Sequence, residues 1–220
     1  MTDYYKISLE ILYKILKDSD NDFWAKWMLE DIRLWKMDNS VEHHLHAYGG
    51  MGSFNDISVG NNDIEGLWKN KVFGAIQTIA YSLAKGEVFE EIIDGNFQYN
   101  TNEISGWRCR DCGDARINKL DIERYISTFF VPKFFVEYIE KDKFIDIVEI
   151  SKLADNQVVT SKRQAVEALI KSTNFTLANN LDWLWVCPKC QSKEVCAYRW
   201  LVLDEDTKLI EGNDNLEVKN

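Results

Sequence analysis

The sequence predicts an α+β protein in two parts: an N-terminal all-α helical domain, then a mixed α/β region with a zinc-ribbon-like four-cysteine site. Three observations carry this. Apolar residues recur at spacings of three and four from Tyr4 to Leu83. Two matching Trp-x-Cys-x-x-Cys segments, Trp107 to Cys112 and Trp185 to Cys190, lie beyond them. The 220 residues are 45% hydrophobic, enough for one or two real cores. The expected divisions are 1–95 for the helical domain, 106–203 for the zinc-ribbon-like domain with a helical insertion, and 204–220 for an acidic tail.

Tyr5, Leu9, Leu12 and Leu16 fall mostly on one face of a helix running from about Asp3 to Lys17. Asp18 to Asp22 is a polar break that turns the chain and supplies an N-cap. Trp24, Trp27, Met28, Ile32 and Trp35 then make a second helix, ending near Lys36, and the pair reads as an antiparallel hairpin. Ser40 is placed to cap a short third helix through Val41, Leu45 and Ala47 that Gly49 and Gly50 end. Asp63 is placed to cap a fourth, whose stripe is Leu67, Val72, Phe73, Ile76, Ile79, Ala80 and Leu83, with Gly86 at its end.

Beyond Gly95 the pattern changes. Phe129 to Ile150 is aromatic and β-branched, interrupted by Pro132 and Lys133, and fits strand or helix. Ser161 with Gln164 forms a capping-box pattern that starts a short helix to Lys171. Val195 to Leu203 reads as a final strand.

The formal charge is −10. Residues 1–105 hold 17 acidic and 9 basic side chains, residues 106–203 hold 13 and 15, and the tail from Asp204 holds 6 and 2. Such acidity disfavours general binding to DNA or anionic membrane. The amino terminus has Asp3, Lys6, Glu10 and Lys14 among its apolar residues, unlike a signal peptide, and no window reaches 18 uncharged apolar residues. The expectation is an unexported, cytoplasmic protein.

Four of the five cysteines form the two matching pairs, Cys109 with Cys112 and Cys187 with Cys190. A two-residue gap lets both thiolates of a tight turn face one ion, and two such knuckles make a tetrahedral structural zinc site. Redox pairs, disulfides and unrelated buried thiols are the alternatives. The 74 residues between Cys112 and Cys187 make a long closed loop, which grows costly only slowly with length. Cys196 is expected in the core of the last strand. Four thiolates leave no open position for catalysis.

His43, His44 and His46 are adjacent. His43 and His46 would share a helix face, as a second metal site or acid/base pair, or all three simply favour a helix C-terminus. After them comes Gly49-Gly50-Met51-Gly52-Ser53-Phe54-Asn55-Asp56, which is neither a P-loop nor a dinucleotide fingerprint. It reads as a tight turn in which Asn55 and Asp56 hold backbone amides while Met51, Phe54 and Ile57 reach the core.

Leu45 to Ser58, with Gly49, Gly50, Met51, Gly52, Ser53, Asn55 and Asp56, resembles an uncharacterised bacterial domain family marked by a Gly-Gly-Met-Gly-Ser-x-Asn-Asp motif. Some of its small members look like toxin-immunity proteins. The resemblance covers residues 1–100 and implies a protein partner, a cognate toxin, covered at its active site. Acidic candidates for that contact are Glu30, Asp31, Asp38, Glu90 and Glu91. The alternative is a nucleic-acid-associated zinc-ribbon protein using Arg108, Arg110, Arg116, Lys189, Lys193 and Arg199 beside Trp107, Trp185, Tyr198 and Trp200. No Gly-x-Ser-x-Gly, nucleotide loop or cysteine–histidine nucleophile is present, so no enzyme is expected.

Overall fold

A computed structural model describes residues 3–96, 103–127, 157–172, 175–178, 186–203 and 208–211. These divide into two compact units, one with residues 3–96 and the other with the described residues from 103 onward. The stretch Phe129 to Ile150, the residues Trp183 and Trp185, and most of the 204–220 tail lie outside the described residues.

Helix α1 (Tyr4–Lys17) starts where Asp3 accepts a hydrogen bond from the Lys6 amide at 3.0 Å. The other carboxylate oxygen of Asp3 accepts from Trp35 Nε1 at 2.8 Å, so the residue that begins α1 also fastens α2 (Asp22–Asp38). Tyr5, Leu9, Leu12 and Leu16 of α1 are buried, as are Trp24, Met28 and Ile32 of α2. The expected cap before α2 is absent: Asn21 makes no side-chain capping bond. The helix also runs two residues past Lys36, until Asn39 turns left-handed at φ 57°.

Helix α3 (Glu42–Leu45) is a single turn. Ser40 does not cap it: Val41 holds the N-cap position without a side-chain bond, and the Ser40 amide donates to Asp38 at 3.1 Å. In the glycine turn that follows, Gly49, Gly50 and Gly52 all have φ between +78° and +106°. Such backbone admits residues with a Cβ only at a cost. Asp56 accepts from the Gly52 amide at 2.8 Å, and Phe54 is fully buried among Trp24, Tyr48 and Phe73. Met51 departs from expectation. It lies between two left-handed glycines and is fully exposed, so Phe54 alone anchors the tip while Ile57 is half-buried.

Helix α4 (Ile64–Ala84) is capped as expected, with Asp63 accepting from the Gly66 amide at 2.7 Å. Its stripe of Val72, Phe73, Ile76, Ile79 and Ala80 is buried, together with Trp68. Gly86 follows at φ +87°. Within the expected 1–95 domain, α5 (Phe89–Asn96) follows and stacks Phe89 on Tyr4 with ring centroids 3.9 Å apart.

Two glycines are fixed by space: a Cβ at Gly60 would lie 2.4 Å from the Gly66 carbonyl oxygen, and Gly66 is tighter still. A Cβ at Gly66 would lie 2.0 Å from the Asn61 carbonyl oxygen and 2.4 Å from its nitrogen, backbone that cannot swing aside. Gly66→Ala is therefore expected to cost about 2–3 kcal/mol. Gly50→Ala, with open space but positive φ, should cost about 1 kcal/mol. Urea midpoints check this, and equal midpoints for wild type and Gly66→Ala would rule out the close packing of Asn61 on Gly66.

Among the described residues, the second unit carries a five-stranded sheet whose strands lie side by side in the order β3 (Thr176–Ala178), β2 (Ala115–Asn118), β1 (Glu103–Cys109), β4 (Val195–Leu203), β5 (Lys208–Glu211). Its centre, β1, pairs antiparallel with β2 on one side and with β4 on the other. β3 lies parallel to β2, and β5 antiparallel to β4. β4 matches the expected final strand, but β5 follows it, so Lys208 to Glu211 is sheet rather than loose tail. β1 begins at Glu103, three residues before the boundary expected at 106.

Residues 119–127 are helical, and α6 spans Gln157–Ser172. Ser161 thus lies inside a helix rather than capping it. A helix interior supplies the Gln164 amide with its own i−4 carbonyl, so the capping-box pattern has no free donor to satisfy. Arg163 instead grips the buried Glu123 through Nε and, at 3.0 Å, through Nη2.

Candidate metal centre

The register that pairs Cys109 with Val195 sets the end of β1 beside the start of β4, and a tight turn flanks each strand there. The turns repeat one hydrogen-bond pattern. Cys109 N–H donates to Asp114 O at 2.8 Å while Gly113 N–H donates to Cys109 O at 3.0 Å. Cys187 N–H donates to Ser192 O at 2.7 Å while Gln191 N–H donates to Cys187 O at 2.8 Å. The residue after the second cysteine is left-handed in both, Gly113 at φ +71° and Gln191 at φ +62°. A further bond, Arg110 N–H to Glu194 O at 2.8 Å, joins the turns.

This brings the sulfurs of Cys109, Cys112, Cys187 and Cys190 within 4.8 Å of one another, with Cys109–Cys190 at 3.5 Å and Cys112–Cys187 at 3.6 Å. Four sulfurs on a tetrahedral ion with metal–sulfur bonds near 2.3 Å would stand about 3.8 Å apart, so the cluster is sized for one ion. Cys109 and Cys187 are fully buried, Cys112 is half-buried and Cys190 exposed. Trp107, 6% exposed, packs over the buried pair with Val195 beside it, and the Arg116 guanidinium lies 5.5 Å from its ring centre.

The electrostatics suit a cation. Amide donors, Cys112 first and then Asp111, hold the Cys109 thiol down at about 7 against the opposing effect of burial. Cys190 has the Ser192 amide pulling it down, yet burial and the other three sulfurs drive it up to about 12. Cys112 is also raised, its Asp114 amide bond outweighed by burial and by Cys187 and Cys109. One thiol ionises readily and its neighbours then resist, so holding four thiolates together calls for a multivalent cation. Cys196 stays outside the cluster, half-buried on β4, its thiol donating to Arg108 O at 3.3 Å.

Gln191 bears a Cβ in the backbone region that Gly113 occupies in the matching turn. Gln191→Gly should therefore raise stability by about 1 kcal/mol, read as a higher thermal midpoint of the metal-loaded protein. A fall would mean that the side-chain bond from Gln191 Nε2 to Pro188 O, 3.4 Å long, outweighs the strain.

The histidines are organised differently from the expected face of His43 and His46. His46 is exposed, while His43 and His44 converge on Asp31, their Nδ1 atoms 2.5 Å and 2.9 Å from its two carboxylate oxygens. Asp31 and His44 are each 1% exposed. A carboxylate accepts, so both imidazoles donate Nδ1–H to Asp31. Tyr48 OH stands 3.2 Å from His44 Nε2, with Gln77 O at 3.4 Å. Burial first, then the Tyr5 hydroxyl and the Asp31 charge, pushes the Tyr48 phenol far above its ordinary range, so it keeps its proton. His43 stacks on Trp27 at 4.3 Å. Asp31 is thus no surface contact, as the sequence reading had it. It closes a buried network tying α3 to α2.

A family model described as a domain of unknown function (DUF6966) matches residues 17–65, a stretch that runs from the end of α1 through α2, α3 and the glycine turn. No curated protein and no solved structure matches the chain. Among the described residues, no helix is long and apolar enough to cross a membrane.

Proposed function

We propose that this chain is a cytoplasmic bacterial protein-binding protein, an immunity protein that neutralises a toxin by covering its active site, and that its four cysteines hold a structural zinc ion. The observation that carries the first part is the acidic surface of the helical unit. Asp18, Asp20, Asp38, Glu42, Glu90 and Glu91 are all exposed there, in a region with 17 acidic and 9 basic side chains. Such a surface complements the basic cleft of a nuclease-type toxin and speeds association. Zinc suits a closed set of four thiolates, which leaves no position for substrate and makes the site a brace rather than a catalytic centre.

The nucleic-acid alternative draws on Arg108, Arg110, Lys189 and Lys193, all exposed around the knuckles. It is weakened by Trp107, which is buried against the cysteines and faced by Arg116, and so offers bases no free platform.

Co-expression with the product of a neighbouring toxin gene tests the choice. The expected result is rescue of growth, lost on reversing Asp38, Glu90 and Glu91 to lysine, with affinity falling about tenfold or more between low and physiological salt. Micromolar binding to single-stranded nucleic acid, abolished by removing Arg108, Arg110 and Lys189, with no rescue from any neighbouring gene product, would overturn it.

A further inference from the structure

We infer that the four-cysteine cluster is also an oxidation site, which a hydroperoxide converts into two disulfides running between the knuckles, Cys109–Cys190 and Cys112–Cys187. The inference rests on the metal reading for what is released, and on the sulfur geometry alone for which bonds form.

Each close sulfur pair joins one buried and one accessible thiol from opposite turns. Cys190 is exposed and stands 3.5 Å from the fully buried Cys109. Cys112 is half-buried and stands 3.6 Å from the fully buried Cys187. An oxidant therefore reaches one member of each pair first, and the partner waiting behind it belongs to the other knuckle. The Gly113 N–H and Gln191 N–H bonds back to the first cysteine's carbonyl fix each turn, and the sulfur contacts of 3.5 and 3.6 Å both cross between the turns.

The chemistry balances with peroxide as the sole oxidant. The Cys190 thiol gives up its proton and its sulfur attacks one peroxide oxygen, the O–O bond breaks, and Cys190 becomes a sulfenic acid as hydroxide leaves. The Cys109 thiolate then attacks that sulfur and expels the second hydroxide. The two hydroxides take up two protons to give two waters, and the two electrons that reduce the peroxide come from the two sulfurs. The same sequence at Cys112 and Cys187 consumes a second peroxide. With all four thiolates gone the cation has no ligands and leaves, but the turns at 109–112 and 187–190 stay joined. Oxidation thus exchanges one cross-link for another.

The sequence makes the pairing readable, because Arg110 separates Cys109 from Cys112 and Lys189 separates Cys187 from Cys190, so trypsin parts the members of each knuckle. The metal-loaded full chain is treated with hydrogen peroxide, its zinc release followed with a chromophoric chelator, and its tryptic peptides mapped by mass spectrometry without reduction. The expected result is loss of about one zinc for every two peroxides consumed, with Cys109–Cys190 and Cys112–Cys187 peptides dominant and thiols and metal binding restored by dithiothreitol. Cys196→Ser should leave this map unchanged, and Cys190→Ser should delete the Cys109–Cys190 peptide. Disulfides within a knuckle, bridges to Cys196, or sulfinic acids in place of disulfides would overturn the inference while leaving the metal reading intact. Purified protein that holds no metal yet yields the two cross-knuckle peptides would overturn the metal reading and support this one.

Discussion

Serine in place of Cys109, Cys112, Cys187 or Cys190 is expected to lower bound zinc from about one ion per chain to a small fraction of that, and to destabilise the sheet unit by several kcal/mol. The size of the effect follows from how little else closes the site. Cys109 and Cys187 are fully buried, and around them are two turns whose internal bonds position sulfurs rather than bury apolar surface. Removing one thiolate leaves three that repel one another in a partly desolvated pocket. Metal analysis of purified variants, with chelator-induced unfolding followed by Trp fluorescence, measures both quantities. Cys196→Ser is the matched control and should retain the ion, since its sulfur bonds to Arg108 O outside the cluster. A native protein that is metal-free and fully stable would sink the assignment.

Asp31→Ala is expected to cost the helical unit about 3 kcal/mol, far more than alanine at Asp38 or Glu90. The aspartate is 1% exposed and holds two imidazoles, so its loss strands the Nδ1–H of His44 in a site 1% exposed and frees His43 from its partner. Urea denaturation monitored by helical ellipticity gives the number. In a double-mutant cycle, Asp31→Ala should couple to His44→Ala, because either change alone leaves the other group unpaired. A shift within about 0.5 kcal/mol, the range of ordinary surface substitutions, would mean that the network does not brace α3.

The helical unit was largely legible in the sequence because its signals are local. Asp3 and Asp63 sit where a carboxylate reaches a first-turn amide, and the stripes around Leu9, Met28 and Ile76 follow the helix period. The four cysteines were equally legible, since the knuckle spacing repeats. Pairing between distant segments left weaker traces. β1 reads as polar with glycine and is a strand because β2 and β4 pair with it on either side, and β5 falls within an acidic end whose four strand residues carry no long pattern. The capping pattern at Ser161 and Gln164 misled because the same residues fit a helix interior. Asp31 could have been found: Trp24, Met28, Asp31 and Trp35 are spaced four, three and four, so position 31 lies on the apolar stripe. A charge on a buried stripe needs partners, and the adjacent histidines downstream were the available donors.

The span between the two knuckles has a consequence for how the protein is made. At about 5–20 residues per second, a ribosome needs about 4–16 s to extend the chain from Cys112 to Cys190. For that interval the four-cysteine site has half of its donors, and β1 is without its principal partner strand β4. The described helices up to Asn96 precede both turns. Folding of the second unit therefore waits on a late event, the emergence of the last two thiols. On the proposed metal reading, a cell short of available metal would feel that shortage there first, in newly made chains rather than in mature ones.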